Sequence, residues 1–325
     1  MKCSLAIGVV FALASVNGAL AAEKAAKGAD NYPSRPIRVI VPQAPGGSND
    51  IFARYIGAQV SERLGKTVVI DNRPGAEGMI GTDTVAKAAP DGYTLLMTST
   101  AFVQNPAVIK KLPYDPVKDF DWPAMLGRGS VVIVAGPSLP VNNLKELIAL
   151  GKAKPNHITM ASAGGFMHFV SAMFKSQAGI DATIALYKGG APALTDVLGG
   201  HAHMAIATMV TVNPYLKGGK LKALAVGSPK RLSVLPDIPT ATEAGLPYEA
   251  SIWWAWSTAA NTPAPILNKL NTEIAEVLKL PDTQKRFAAE AAEVEIRKPA
   301  EIKEMVKADL VKWDKVARDA KMQKQ

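Results

Sequence analysis

The chain has 325 residues, of which 48% are hydrophobic and 20% charged, with a formal net charge of +9 and a single cysteine. That length supports one large or two medium domains with sizeable cores, and the composition excludes a disordered chain. One cysteine excludes a disulfide scaffold. Lys and Arg spread along helices and the tail, rather than gathered with aromatics in one place, exclude the footprint of a nucleic-acid binder.

Lys2, the uncharged apolar stretch Leu5 to Leu20 and the small residues Ala19-Leu20-Ala21 read as a secretory signal peptide over residues 1–21, cleaved near Ala21. The stretch is short for an anchoring helix. Cys3 lies ahead of it, unlike a lipoprotein cysteine, and leaves with it. An exported chain without cysteine points to the bacterial periplasm.

From Ile37 onward strands alternate with helices. The apolar run Ile37–Val41 reads as a strand buried on both faces. A helix follows over about Ser48–Leu64, with Ile51, Phe52, Tyr55, Ile56, Val60 and Leu64 at helical spacing, Asn49 or Ser48 as its cap and Gly65 at its end. Next come a strand at Val68–Asp71, a helix near Met79–Ala88, a turn at Pro90-Asp91-Gly92 and a strand at Tyr93–Met97. Such βαβ units imply a parallel sheet with right-handed crossovers. Prolines 106, 113, 116 and 123 make Asn105–Pro123 a long connection.

A second set of units begins at Val131–Ala135, with a helix at about Asn142–Lys152 and strands near Met204–Ala207 and Leu221–Val226. After the turn-rich stretch Pro229 to Pro247, Ser251–Thr258 carries Trp253, Trp254 and Trp256, which are either core or one wall of a cleft. The remainder reads as helices, one starting at Pro263/Pro265 and one from Pro299. Two sets of units separated by two proline-rich connections predict an α/β fold of two lobes with a cleft between them.

Three apolar runs break into glycine loops that open helices: Ala44-Pro45-Gly46-Gly47-Ser48-Asn49-Asp50, Ser162-Ala163-Gly164-Gly165 and Lys188-Gly189-Gly190-Ala191-Pro192. A helix start exposes unpaired N–H groups at the positive end of the helix dipole, a place for an anion such as a carboxylate. Asp50 and Asp196 fall near such starts. They either complement the dipole or fix the loops so that backbone donors point into the cleft. His168 either donates to an anion or satisfies the loop backbone. Nucleophile elbow, Walker loop, H-E-x-x-H and C-x-x-C motifs are absent from the sequence. An exported hydrolase on His168 with Asp50 or Asp196 lacks an evident partner group. His201 and His203 form an H-x-H pair without a carboxylate at ligand spacing, so no metal and no cofactor is expected. Gly75, Gly78 and Gly81 miss the dinucleotide spacing and read as a tight turn with close packing.

Tyr32-Pro33-Ser34-Arg35-Pro36, Pro45-Gly46-Gly47-Ser48-Asn49-Asp50, Asp71-Asn72-Arg73-Pro74-Gly75-Ala76, Ala89-Pro90-Asp91-Gly92-Tyr93 and Tyr187-Lys188-Gly189-Gly190-Ala191-Pro192 together resemble the Bug proteins. These TctC-like proteins are the periplasmic solute receptors of tripartite tricarboxylate transporters. The resemblance runs over nearly the whole chain after the signal.

It implies a type II-like periplasmic binding protein whose chain crosses between lobes twice. Each lobe is then a mainly parallel sheet flanked by helices, lobe 1 over 32–127 and 250–325 and lobe 2 over 128–249. It implies a small carboxylate held mainly by backbone amides, with delivery to permease subunits, by a monomer that is not an enzyme. By position the site is Ala44, Gly46, Gly47, Ser48 and Asp50 with Thr98, Ser99 and Thr100, facing Ser162, Ala163, Gly164 and His168, then Gly189, Gly190 and Ala191 supported by Asp196. Two departures fall on the distal half: Ala163–Met167 is short and apolar, and Thr208 stands near where many members show an aspartate. Phe166 and Met167 tilt the expected ligand toward an aromatic or longer apolar acid. A sensory protein presenting its closed form to a signalling partner needs the same cleft and is the alternative.

Overall fold

The computed structural model describes residues 31–319 and Lys324, and the signal-peptide reading of residues 1–21 lies outside them. Strands β1 (Ile37–Val41), β2 (Val68–Asn72) and β3 (Thr94–Ser99) are parallel in the order β2-β1-β3. The long strand β4 (Phe120–Ala135) leads to a second parallel group, β5 (Ile158–Ser162), β6 (Ala182–Leu186) and β7 (Met204–Thr208), in the order β7-β5-β6. Strands β8 (Lys222–Val226), β9 (Ser251–Ala259) and β10 (Ala292–Val294) complete the set.

β4 belongs to both groups. Its first part, Phe120 to Ser130, pairs antiparallel with β9, whose other edge pairs with β3, and with β10. Its last part, Val131 to Ala135, pairs antiparallel with β7 and β8. The mainly parallel sheets are thus joined by antiparallel strands at the crossing, where β4 and β9 run side by side.

The helices between strands are α1 (Ser48–Leu64), α2 (Met79–Ala86), α3 (Ala101–Val108), α4 (Leu144–Ala153), α5 (Phe166–Ala178), α6 (Gly190–Leu198) and α7 (Met209–Lys217). After β9 follow α8 (Ala264–Lys279), α9 (Pro281–Ala289) and α10 (Pro299–Asp319). α1 forms because Phe52, Ile56 and Val60 bury one helical stripe, and Gly65 stops it in the left-handed region at φ 61°. α8 packs on α1 and β4, and α10 on α3 and β4, with Trp313 of α10 edge-on to Phe166 and Phe169 of α5. No helix among the described residues is long and apolar enough to cross a membrane.

The expected connection over Asn105–Pro123 is corrected at both ends. Pro106 sits inside α3, and Phe120–Pro123 already belongs to β4. Pro123 falls where the β4–β9 register shifts between Asp121 and Ala124, a bulge where a missing N–H breaks no regular ladder bond. Trp253, Trp254 and Trp256 are core, each at most 2% exposed. Burial of one indole removes roughly 150–250 Å² from water, a stabilisation of up to about 4–6 kcal/mol.

Candidate functional site

The carboxyl ends of both parallel groups face one cavity of about 30 Å³, where open α/β sheets bind their ligands. The first wall supplies Gln43, Gly47, Ser48 and Asn49 after β1, Ser99 at the end of β3, and Ile252 on β9. The second wall supplies Ala163, Gly164, Phe166 and Met167 after β5, Gly190 after β6, and Ala207, Thr208 and Thr211 around the start of α7. None of these residues is charged. An adjoining cavity of about 250 Å³ shares Gln43, Ala163 and Gly164 and adds Glu77, Tyr187 and Lys188.

Four helices, α1, α5, α6 and α7, begin at this cavity. Their N-caps are Gly47, Gly165, Gly189 and Thr208, and none receives a side-chain cap bond. The cap expected from Ser48 or Asn49 is therefore replaced. Gly47 takes the cap position, both polar residues lie inside the first turn, and Asp50 Oδ2 reaches back to accept from Gly46 N–H at 2.9 Å. An uncapped start leaves first-turn N–H groups for a ligand and carries roughly half a positive charge. The hydroxyls add donors. Trp254 Nε1–H donates to Ser48 Oγ at 3.2 Å, which leaves the serine proton free to donate elsewhere. Thr208 and Thr211 hydroxyls lie 2.9 Å apart, share one proton and keep one to give.

Asp50 braces the first wall rather than lining the cavity. Its carboxylate accepts from Arg54 Nε at 3.0 Å and from Asn72 Nδ2 at 3.0 Å, and the same Asn72 amide donates to Gln43 O at 3.0 Å. Burial alone would raise its pKa, but the bonds from Arg54, Gly46 N–H and Asn72 outweigh that and hold it below the usual carboxylate range. The loop from Gln43 to Asp50 is thereby tied to the end of β2.

Ala44, Gly46, Gly189 and Ala191 bring the two walls into contact. Ala44 N–H donates to Lys188 O at 2.9 Å. Gly46 has φ +84°, and a Cβ there would meet Ala191 Cβ at 2.9 Å. A Cβ on Gly189 would stand 3.1 Å from Ala44 N.

Other expected residues take structural positions. Thr98 pairs with Ala255 across β3–β9, and Thr100 Oγ1 accepts from Trp253 N–H at 2.9 Å. Ser162 is fully buried beside the cavity, its Oγ 3.4 Å from Gly164 N. Asp196 accepts from Tyr187 OH at 2.6 Å, a bond that pushes the phenol up to about 12. His203 Nδ1 accepts from Thr159 N–H at 3.0 Å, and among the described residues no three of His, Cys, Asp and Glu come together as a ligand set.

His168 Nδ1 lies 3.6 Å from Oε1 of Glu77, which comes from the opposite wall and also accepts from Gly165 N–H. Glu77 occupies a left-handed conformation at φ +55° next to Ala76 at φ +47°, uncommon for residues with a Cβ, and its carbonyl is held by Asn105 Nδ2 at 3.1 Å. Burial would raise the Glu77 pKa, yet the bonds from His168 and Gly165 and the His168 charge lower it overall. Glu77 is thus a clasp across the cleft. Asp50, Asp196 and His168 each have a different partner, Arg54, Tyr187 and Glu77, so the structure pairs none of the three with another.

Sequence reasoning left out Gln43, Thr211, Ile252 and Glu77, and took Asn49 for a cap. Thr211, three residues after Thr208 on a helix start, and Glu77, between Gly75 and Gly78, had a local signal. Ile252 had none, since it reaches the cavity on β9 through the pairing with β4, where it stands opposite Gly129.

A model of the TctC family, described as tripartite tricarboxylate transporter family receptor, matches residues 52–322. Protein BugT of Bordetella pertussis is 35% identical over 318 residues, covering 96% of this chain and 95% of its own. A Rhodopseudomonas palustris protein solved with adipate superimposes with a TM-score of 0.87 at 32% identity, over 90% of this chain and 100% of that one. MatC from the same organism, solved with bound malate, gives 0.84 at 32% identity, over 88% and 99%.

Proposed function

The chain belongs to the TctC family of tripartite tricarboxylate transporter receptors, and from that premise we propose that it is a periplasmic receptor that closes on a small carboxylate and hands it to membrane permease subunits. The observation that carries this reading is the convergence of four helix starts, three of them without a side-chain acceptor at the cap, on a cavity lined by no charged residue. Neutral donors fixed in place bind an anion without the desolvation cost of a buried cation. The adipate and malate held by its relatives are of that chemical class.

In this reading Gly47, Ser48, Ser99, Ala163, Gly164, Gly190 and Thr208 face the ligand. Ala44, Gly46, Gly189 and Ala191 seal the walls, while Asp50 and Asp196 hold the loops. The lobes are 32–127 with 250–325, and 128–249, and they rotate about β4 and β9. Ligand touching both walls favours the closed form, because only differential affinity shifts that equilibrium. The role is binding and release, without turnover.

A thermal-shift screen of the purified protein against mono-, di- and tricarboxylates, with sulfate and phosphate as controls, tests it. A ligand at a hundred times its Kd should stabilise the fold by about 2.7 kcal/mol, a melting-point rise of several degrees. No shift with any carboxylate, or equal shifts with sulfate and phosphate, overturns the reading.

A further inference from the structure

We propose that Glu77 makes this a receptor for acids with one carboxylate, because its own carboxylate fills the place at the start of α5 where a second ligand carboxylate would be held. The inference rests on the carboxylate reading above and adds how many carboxylates that ligand carries.

The inner cavity of about 30 Å³ has room for one small group, so the rest of a ligand extends into the adjoining cavity of about 250 Å³. Gln43, Ala163 and Gly164 line both and mark the junction between them. Glu77 stands at that junction. A Cβ on Gly164 would lie 3.1 Å from Glu77 Oε2, and the Glu77 side chain, 21% exposed, lines the outer cavity. The same carboxylate accepts from Gly165 N–H at the cap of α5 and faces His168 Nδ1 at 3.6 Å. A donor N–H at a helix start with a histidine beside it is a place for a ligand carboxylate. Here a carboxylate from the opposite wall already occupies it.

The backbone holds Glu77 there at a cost. Glu77 at φ +55° and Ala76 at φ +47° adopt a conformation that glycine takes freely and a residue with a Cβ does not. Asn105, 4% exposed, fixes the Glu77 carbonyl through Nδ2 at 3.1 Å, so the main chain is anchored where the side chain crosses the cleft. Burial would raise the Glu77 pKa, but the bonds from His168 and Gly165 N–H outweigh it and keep the carboxylate charged at neutral pH. A second ligand carboxylate arriving beside it meets a like charge partly shut from water, with Gly165 N–H already engaged. Lys188, the cation lining the outer cavity, is exposed, and an exposed ion pair contributes too little to offset that repulsion. An uncharged tail meets no such penalty, and Ala76, Ala163 and Leu186 offer it apolar surface.

The test is calorimetry near neutral pH with pairs matched in carbon skeleton: butyrate with succinate, hexanoate with adipate, and benzoate with terephthalate. Wild-type protein should bind the acid with one carboxylate about tenfold or more tighter than its partner with two. Glu77→Gly removes the charge, frees Gly165 N–H and suits the left-handed backbone, so it should tighten the two-carboxylate acid about tenfold or more and collapse the ratio. Glu77→Gln keeps an acceptor for Gly165 and loses only the charge, so it should narrow the ratio while weakening the one-carboxylate acid; it carries the test alone should the glycine variant not fold. Wild-type affinity for a two-carboxylate acid that equals or exceeds that of its partner overturns the assignment and leaves the carboxylate reading standing. A ratio unchanged by either variant does the same, since it marks Glu77 as a clasp without influence on ligand charge. If none of the six binds, the comparison is made between whichever carboxylate does bind and its analogue with one carboxylate more or fewer, with the same two outcomes. Failure of all carboxylates overturns both readings.

Discussion

On one wall of the cleft, the loop after β1 is fastened from its own side, by Asp50, Arg54 and Asn72 acting on Gly46 N–H and Gln43 O. On the other, the loop after β5 is fastened from across the cleft, by Glu77 acting on Gly165 and His168. The first loop has these ties within its own wall besides the Ala44 N–H bond to Lys188 O across the cleft. The second is held in shape by closure itself. Capture of the anion and commitment to the closed state can thus be assigned to different walls, and each can be disturbed without the other.

The largest effect is expected where the walls touch. Gly46→Val places a branched side chain at φ +84° and drives it into Ala191. Calorimetry should find affinity reduced about a hundredfold or more, because the walls can no longer meet around a ligand. The circular-dichroism spectrum should remain that of the wild type, since Gly46 is half-buried and its neighbour Ala191 belongs to the opposite wall. A normal affinity would mean that closure does not bring these loops together.

Next is the fastening of the first wall. Asp50→Asn removes the charge that Arg54 and Gly46 N–H share, and should lower stability by about 1–2 kcal/mol, a few degrees in Tm. The pH dependence has a definite sign. A carboxyl held below its unfolded-state pKa contributes its full stability above the ordinary carboxylate range and loses it as pH falls through the native value. Wild type and Asp50→Asn should therefore differ most near neutral pH and converge toward pH 3, as melts across that range would reveal. A constant gap would place the stabilisation elsewhere.

The clasp is the smallest of the three. Glu77→Gln retains an acceptor for Gly165 N–H but loses the charge facing His168, and should cost about three- to tenfold in affinity with little change in Tm. A double-mutant cycle with His168→Ala should find the two substitutions non-additive. The Glu77 carboxyl is lowered in the clasped form, so wild-type affinity should be full at neutral pH and fall progressively as pH drops through the ordinary carboxylate range to the lowered value. Additive losses would separate Glu77 from His168. They would leave the second wall fastened by its own loop, as the first is.

The alternation of apolar runs and amphipathic segments determined the strands and helices, because burial on a sheet and along a helix imposes periods that a single sequence displays. Glycines at strand ends likewise announced the helix starts, down to the limits of α1. Residues whose role depends on a partner far along the chain were not legible. Glu77 meets Gly165 and His168 from some ninety residues away. Ile252 reaches the cavity through the β4–β9 pairing, and Pro123 is tolerated in β4 where the register with β9 shifts. Asn49 shows the same division. Its sequence position suited a cap, and only the fold, by giving the cap to Gly47 and the back-bond to Asp50, left its amide oxygen buried without a hydrogen-bond partner. Local sequence sets which groups a turn can offer. Whether those groups face solvent, one another or a ligand is decided by what the rest of the chain packs against them.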